Sequence, residues 1–216
     1  MLMSTGSFRH QKFFQHYQDV SFAEKKQFLR EEIKDERNFA TLMRIWPRIW
    51  LHAFNIFLVF FVSLSVFPAV IANVKPLNNL IPAKYFSPVF CFFFFNLFAV
   101  VGNLMPGHLP YPSKAKRLFV PVASRLLFIP FFMLCNYSPA TRAWPVVFDH
   151  DFYPILGCVL LATSSGYFSS AAQMNMPKAV ELRDAPVAGM VASFSCMIGI
   201  LGGVSFAPIL AKMVLI

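Results

Sequence analysis

Five long apolar runs separated by short polar segments dominate the chain after residue 48. They cover residues 50–74, 85–105, 118–135, 152–174 and 188–215. At about 1.5 Å of rise per residue, helices of these lengths approach or exceed the roughly 30 Å hydrocarbon core of a bilayer. The pattern predicts an all-α membrane protein in which residues 49–216 form a bundle of five transmembrane helices.

Residues 1–48 have a different pattern, with nine Lys or Arg and six Asp or Glu residues. Apolar residues recur there at roughly helical spacing, which indicates either an amphipathic helix on the membrane surface or a solvated cytoplasmic tail. The segment lacks the apolar core of a signal peptide, so insertion is expected to depend on the first long run. Trp46 and Trp50, beside Arg44 and Arg48, are typical of anchors at the membrane interface.

Composition supports the membrane class. The chain is 57% hydrophobic and contains 27 Phe residues, while charged residues make up 13%, against about a quarter in soluble domains. The net charge of +9 does not indicate nucleic-acid binding, because the basic residues cluster between the apolar runs. The segments before the first run, between runs two and three, and between runs four and five carry 14 of the 19 Lys and Arg residues. This asymmetry predicts a cytoplasmic N-terminus and a C-terminus outside, with the plasma membrane as the expected location.

Arg125 is the charged residue in the middle of an apolar run. An arginine at such a depth costs about 2.5 kcal/mol or more, so it is seldom retained without a use. Two interpretations remain open. Arg125 either faces a watery, substrate-lined cavity, or its side chain extends towards the N-terminal end of its helix and reaches the interface.

Other polar groups within the runs could contact an uncharged, hydrogen-bonding solute. With Arg125, the predicted pathway residues are Asn96, Asn103, Ser164, Ser165, Tyr167 and Ser169. No carboxylate lies within any run. Proton- or sodium-driven carriers usually hold their coupling ion with such a group. The pattern therefore favours uncoupled, downhill movement.

Small residues recur every fourth position in the last run, at Ser195, Gly199, Gly203 and Ala207. This ridge predicts close helix packing within the bundle or, alternatively, homodimerisation. The sequence Asp149-His150-Asp151 could bind a metal or simply begin a helix. No nucleophile and base pair, cysteine cluster or phosphate loop is present, so no enzyme activity, cofactor or metal is expected.

Several motifs, in order, resemble the C-terminal half of the equilibrative nucleoside transporter family. LSVFPAV at residues 64–70 is similar to the end of that family's seventh span, and FNLFAVVG at 95–102 to its eighth, which typically reads FNxFDxxGR. SRLLFIPFFMLCN at 124–136 is similar to the ninth span. FDHD at 148–151 and SSGYFSS at 164–170 are similar to the tenth, and residues 176–194 to the loop entering the eleventh.

The resemblance implies nucleoside or nucleobase transport by facilitated diffusion. It also implies the C-terminal bundle of a major-facilitator-like architecture with six plus five spans. Ala99 and Asn103 stand where the family pattern has aspartate and arginine, and Ser165 replaces an asparagine. The expected partners are the solute, the bilayer, and a six-span N-terminal half or a full-length relative. The alternative is a non-transporting fragment that associates with such a relative.

Overall fold

The computed structural model describes residues 38–76, 82–137 and 144–215. The predicted surface segment at residues 1–37 lies outside the described residues. The chain divides into two compact units, Met1–Arg44 and Ile45–Ile216, a boundary slightly before the predicted one at residue 48. Residues 38–44, the described part of the first unit, are helical. The second unit contains the helix bundle.

Five helices in the described chain are long and apolar enough to cross a membrane, which confirms the predicted fold class. They are α1 (Asn38–Asn73), α2 (Lys84–Gly107), α3 (Ala115–Leu134), α4 (Phe152–Lys178) and α5 (Ala185–Leu215). Several extend beyond the apolar runs. α1 begins at residue 38 rather than 50, and α4 ends at Lys178 rather than 174. Backbone hydrogen bonding continues into the interface after the side chains become polar, so hydrophobicity marks the span and not the helix end.

Prolines shape the two helices that depart most from α geometry. In α2, residues Ser87–Phe94 form a π-helix that begins beside Pro88. In α3, residues Arg125–Leu127 form a 3-10 turn between Pro121 and Pro130. Pro130 has no N–H to donate to the carbonyl of Leu126, so the regular bonding is interrupted where the turn tightens. Arg125 is the first residue of that turn.

α4 lies at the centre of the bundle, and it contacts α2, α3 and α5. Its closest approach is to α2. A Cβ atom added to Gly166 would overlap the carbonyl oxygen of Ala99, and one added to Gly102 would overlap that of Thr163. Only glycine at these two positions allows the backbones to come this close.

The small-residue ridge of α5 faces α1. A Cβ added to Gly199 would lie 2.6 Å from the carbonyl oxygen of Phe57, and one added to Gly203 would lie 2.6 Å from the carbonyl oxygen of Phe61. Ser195 and Ala207, on the same ridge, are also buried. The ridge is thus occupied by an intramolecular helix contact.

One end of the bundle is held together by backbone pairing between loops. Val74 pairs with Tyr137, and Cys135 pairs with Phe148. Asn136 adds two bonds, because its carbonyl accepts from the Lys75 N–H at 3.0 Å and its Nδ2 donates to the Lys75 carbonyl at 3.0 Å. We call this end, with residues 74–76, 135–137 and 144–148, the clasp end. The opposite end, with residues 105–117 and 175–184, is the basic end.

Candidate functional site

Arg125 lies at the meeting point of three helices. Its side chain is only 2% exposed. From α3, its Nε donates to Ser164 Oγ of α4 at 3.1 Å and its Nη1 donates to the Val59 carbonyl of α1 at 3.1 Å. Its Nη2 donates both to Ser63 Oγ of α1 at 2.8 Å and to the Leu161 carbonyl of α4 at 3.2 Å.

Ser63 and Ser165 complete this cluster, which we call the arginine node: Arg125, Ser63, Ser164 and Ser165. The hydroxyl oxygens of Ser63 and Ser165 are 2.8 Å apart, and Ser63 also donates to the Val59 carbonyl at 2.8 Å. Both serines are buried. The node therefore connects α1, α3 and α4 through polar bonds in an apolar interior, where such bonds fix relative position.

In the described chain the guanidinium of Arg125 is buried between α1, α3 and α4. The two interpretations made from the sequence, a substrate-lined cavity and a side chain that reaches the interface, stay predictions. Among the described residues the acceptors of Arg125 are hydroxyl and carbonyl oxygens, so oxygen dipoles rather than a carboxylate compensate its charge. An unpaired buried charge is costly unless its donors are satisfied, and four hydrogen bonds from this side chain serve that purpose.

The remaining predicted pathway residues separate into three places. Ser169 is buried and donates to the Gly166 carbonyl of its own helix at 3.0 Å. Asn103 and Tyr167 lie towards the basic end. Asn103 Oδ1 accepts from Ser170 Oγ at 3.0 Å, and the Tyr167 hydroxyl donates to the Pro110 carbonyl at 3.0 Å.

Asn96 lies on an open face of α2, away from the arginine node. It is exposed, and its Nδ2 donates to the Phe92 carbonyl one turn earlier at 2.7 Å. The side-chain oxygen Oδ1 of Asn96 has no hydrogen-bond partner among the described residues and remains available to a ligand. Around it a groove of about 580 Å³ is lined by Pro88, Phe92, Phe93, Leu97 and Val100.

This groove has the general chemistry of a small-molecule site, since such sites are mostly apolar with a few fixed polar groups. The π-helix Ser87–Phe94 sets the positions of Phe92 and Phe93, one turn before Asn96. π-helical turns are frequent at functional sites because they rotate the residues that follow. We call this surface the α2 wall.

Two of the three departures from the family pattern, Ala99 and Asn103, lie beside the α2–α4 contact. The backbone of Ala99 packs against Gly166, and Asn103 bonds Ser170 of α4. The described structure therefore uses these positions to join two helices.

Sequence reasoning missed several buried polar groups. Ser63 belongs to the arginine node, and its only sequence signal is a hydroxyl within the apolar first run. His52 and Asn55 are buried on α1, and Asn55 Nδ2 donates to the Ala115 carbonyl at 3.1 Å. His52 Nδ1 and Asn55 Oδ1 have no hydrogen-bond partner among the described residues.

The Asp149-His150-Asp151 sequence directly precedes α4. His150 Nδ1 accepts from the Phe152 N–H at 3.2 Å, which caps one of the free donors at the helix start. Within the described ranges, no three His, Cys, Asp or Glu side chains group closely enough to hold a metal ion.

Together, the five spanning helices and the buried polar node define an integral, multi-pass, helical membrane protein. Comparison with known proteins gives the family. A family model described as "Nucleoside transporter" matches residues 9–211, and the chain belongs to this nucleoside transporter family.

Curated relatives agree. Equilibrative nucleoside transporter 2 of Rattus norvegicus is 35% identical over 167 residues, which cover 76% of this chain and 36% of the relative. Equilibrative nucleoside transporter 2 of Homo sapiens is 34% identical, covering 77% of this chain and 37% of the relative. Equilibrative nucleoside transporter 1 of Homo sapiens is 33% identical with the same coverages. The chain thus spans little more than a third of the length of these relatives.

Proposed function

We propose that this chain supplies one side of a pathway for nucleosides or nucleobases across a membrane, by facilitated diffusion. The observation that carries the proposal is its membership of the nucleoside transporter family over residues 9–211. The names of its relatives point to equilibrative transport, and they favour a carrier over a non-transporting fragment or an enzyme.

The α2 wall is the surface that we assign to the solute. Asn96 offers a free amide oxygen for an N–H or O–H donor of a base or sugar, and Phe92 and Phe93 offer rings against which a base can stack. Asn103 and Tyr167 extend the wall towards the basic end. Arg125, Ser164 and Ser165 then act as supports that hold α4 against α1 and α3, and buried Ser169 bonds within α4.

Transport requires a second bundle opposite this wall. Rocking carriers hold their solute between two halves that move against each other, and the α2 wall is open on the described chain. The chain covers about 36% of the length of a relative, so we propose a six-span N-terminal half, or a full-length relative, as the partner.

The mode of transport is proposed from charge. The described residues of α1 to α5 contain no Asp or Glu, and ion-coupled carriers usually use an intramembrane carboxylate. We therefore propose that the solute moves down its own gradient without coupling to a proton or sodium ion. The 14 Lys and Arg residues on one side support a cytoplasmic N-terminus and an external C-terminus, and we propose the plasma membrane as the location.

Uptake of labelled uridine or adenosine tests the proposal in cells that lack their own nucleoside carriers. The chain is expressed with and without a co-expressed N-terminal half. Asn96→Ala is expected to reduce uptake about tenfold, because a lost hydrogen bond to a solute is worth about 1 to 1.5 kcal/mol.

Asn73→Ala is the matched control. Asn73 is also exposed, and its Nδ2 makes the same bond to a carbonyl one turn earlier, that of Ala69, at 2.7 Å. It lies near the clasp end of α1, off the α2 wall, so its replacement should leave uptake unchanged. The proposal is contradicted if uptake is absent both with and without the N-terminal half, or if the two substitutions have equal effects.

A further inference from the structure

Four cations at the basic end have no acidic partner among the residues that the structure describes. Lys114, Lys116 and Arg117 lie within four residues of one another at the start of α3, and all three are exposed. Lys178, at the end of α4, is exposed as well. We call these four residues the basic patch.

Contacts of Lys178 and Asn175 hold the end of α4 against Tyr111 and Pro112, just before Lys114. The Nζ of Lys178 donates to the Tyr111 hydroxyl at 2.9 Å and lies 5.6 Å from the centre of the Tyr111 ring. One turn earlier in α4, Asn175 Nδ2 donates to the Pro112 carbonyl at 2.9 Å. The end of α4 is thus fastened to the segment that leads directly into Lys114.

No carboxylate neutralises this patch in the described structure. The first turn of α3 contains no acidic residue, although helix starts favour negative charge and repel cations. The two acids of the α4–α5 connection both lie near another cation, since Arg183 Nε is 3.0 Å from Glu181 and 3.9 Å from Asp184.

The patch lies at the ends of two spanning helices. Lys114, Lys116 and Arg117 are at the N-terminal end of α3 (Ala115–Leu134), and Lys178 is the last residue of α4 (Phe152–Lys178). The ends of spanning helices lie in the interface between hydrocarbon and headgroups, where long Lys and Arg side chains reach the headgroups.

We propose that the basic patch is a binding site for the headgroup of an anionic phospholipid. Charge complementarity selects this occupant, because an unneutralised cluster of cations beside a spanning helix attracts lipid phosphates. The excess of basic residues that orients a membrane protein requires Lys and Arg on one side of the membrane, but it does not require them to group at the ends of two packed helices. Binding would hold the ends of α3 and α4 against one leaflet.

Native mass spectrometry of the purified full chain tests the site by counting retained lipids. Phosphatidylserine and phosphatidylcholine are supplied in equal amounts at constant ionic strength. The wild-type chain is expected to retain phosphatidylserine preferentially, Lys178→Gln to weaken that preference about fivefold, and the fourfold variant K114Q/K116Q/R117Q/K178Q to abolish it.

Arg183→Gln is the matched control, since it removes one positive charge from the same end of the molecule but from an existing ion pair. Its lipid preference should equal that of the wild type. Should the fourfold variant fail to fold, the wild-type preference should still fall as sodium chloride is raised.

The proposal is overturned if the wild-type chain shows no preference for phosphatidylserine, or if Arg183→Gln loses as much preference as Lys178→Gln. Displacement of the lipid by 1 mM inorganic phosphate would also overturn it, in favour of a soluble anion. None of these readings depends on solute transport.

Discussion

Ser63→Ala is the change that tests the arginine node most sharply, because a near-identical residue lies two positions away. Ser63 is 1% exposed and Ser65 is 0% exposed, both on α1. Each donates to the carbonyl four residues earlier, at 2.8 Å for Ser63 and 2.6 Å for Ser65. Ser63 alone of the two also contacts Arg125 and Ser165.

The expected difference between the two substitutions follows from those extra bonds. A hydrogen bond to a charged group contributes about 1.5 to 3 kcal/mol, and a hydrogen bond between membrane helices contributes about 0.6 kcal/mol on average. The Leu161 carbonyl still accepts from Arg125 Nη2 after the change, so we take the lower part of the range. Ser63→Ala should lower the free energy of unfolding by about 2 kcal/mol more than Ser65→Ala, roughly thirtyfold in the folding equilibrium.

Reversible unfolding of the detergent-solubilised chain measures this difference. A second comparison in an Arg125→Met background isolates the contact itself, since Ser63→Ala should then have nearly the effect of Ser65→Ala. If the two alanine variants are equally stable within about 0.5 kcal/mol, the arginine node does not join α1 to α3 and the reasoning is refuted.

Two further predictions concern the helix contacts and the clasp end. Gly166→Ala should lower the free energy of unfolding by about 1 to 3 kcal/mol, because the added Cβ forces α4 away from Ala99. Gly189→Ala is the control and should be neutral or slightly stabilising, since nothing lies within 4 Å of its added Cβ. Equal thermal midpoints for the two variants would contradict the close approach of α2 and α4. Asn136, in the sequon Asn136-Tyr137-Ser138, should not be glycosylated, because its Nδ2 is buried and bonded to the Lys75 carbonyl. Digestion with an amide-cleaving glycosidase should leave the electrophoretic mobility unchanged, and a shift that disappears in Asn136→Gln would contradict the described clasp.

The number and order of the spanning helices could be predicted from the sequence, because a helical chain crosses hydrocarbon only in long apolar segments. The residues at which those helices begin and end could not be predicted. Residues 38–49 of α1 and Pro177 and Lys178 of α4 are helical without being part of an apolar run. The hydrophobicity of a segment shows whether lipid or water surrounds it, and a helix can continue past the point where lipid gives way to water.

The sequence also did not predict which residues of other helices contact the predicted site and packing residues. An isolated arginine in an apolar run indicates an interior role, but Ser63 is 62 residues away along the chain. α1 is apolar on nearly every face, so its sequence does not show which face turns inward. The small-residue ridge likewise indicates a close contact, whereas its neighbours Phe57 and Phe61 have no signal that distinguishes them from other phenylalanines of α1. Asn96 was among the predicted pathway residues, but only the structure shows the groove of the α2 wall around it.

Nucleoside counterflow in proteoliposomes tests the central claim most directly. Purified chain is reconstituted with an N-terminal half, the vesicles are loaded with unlabelled uridine, and entry of labelled uridine is followed. Facilitated diffusion predicts transient accumulation of label that depends on the unlabelled load, and no accumulation driven by a proton or sodium gradient alone. Equal entry into vesicles lacking this chain, or accumulation driven by either gradient, would contradict the account.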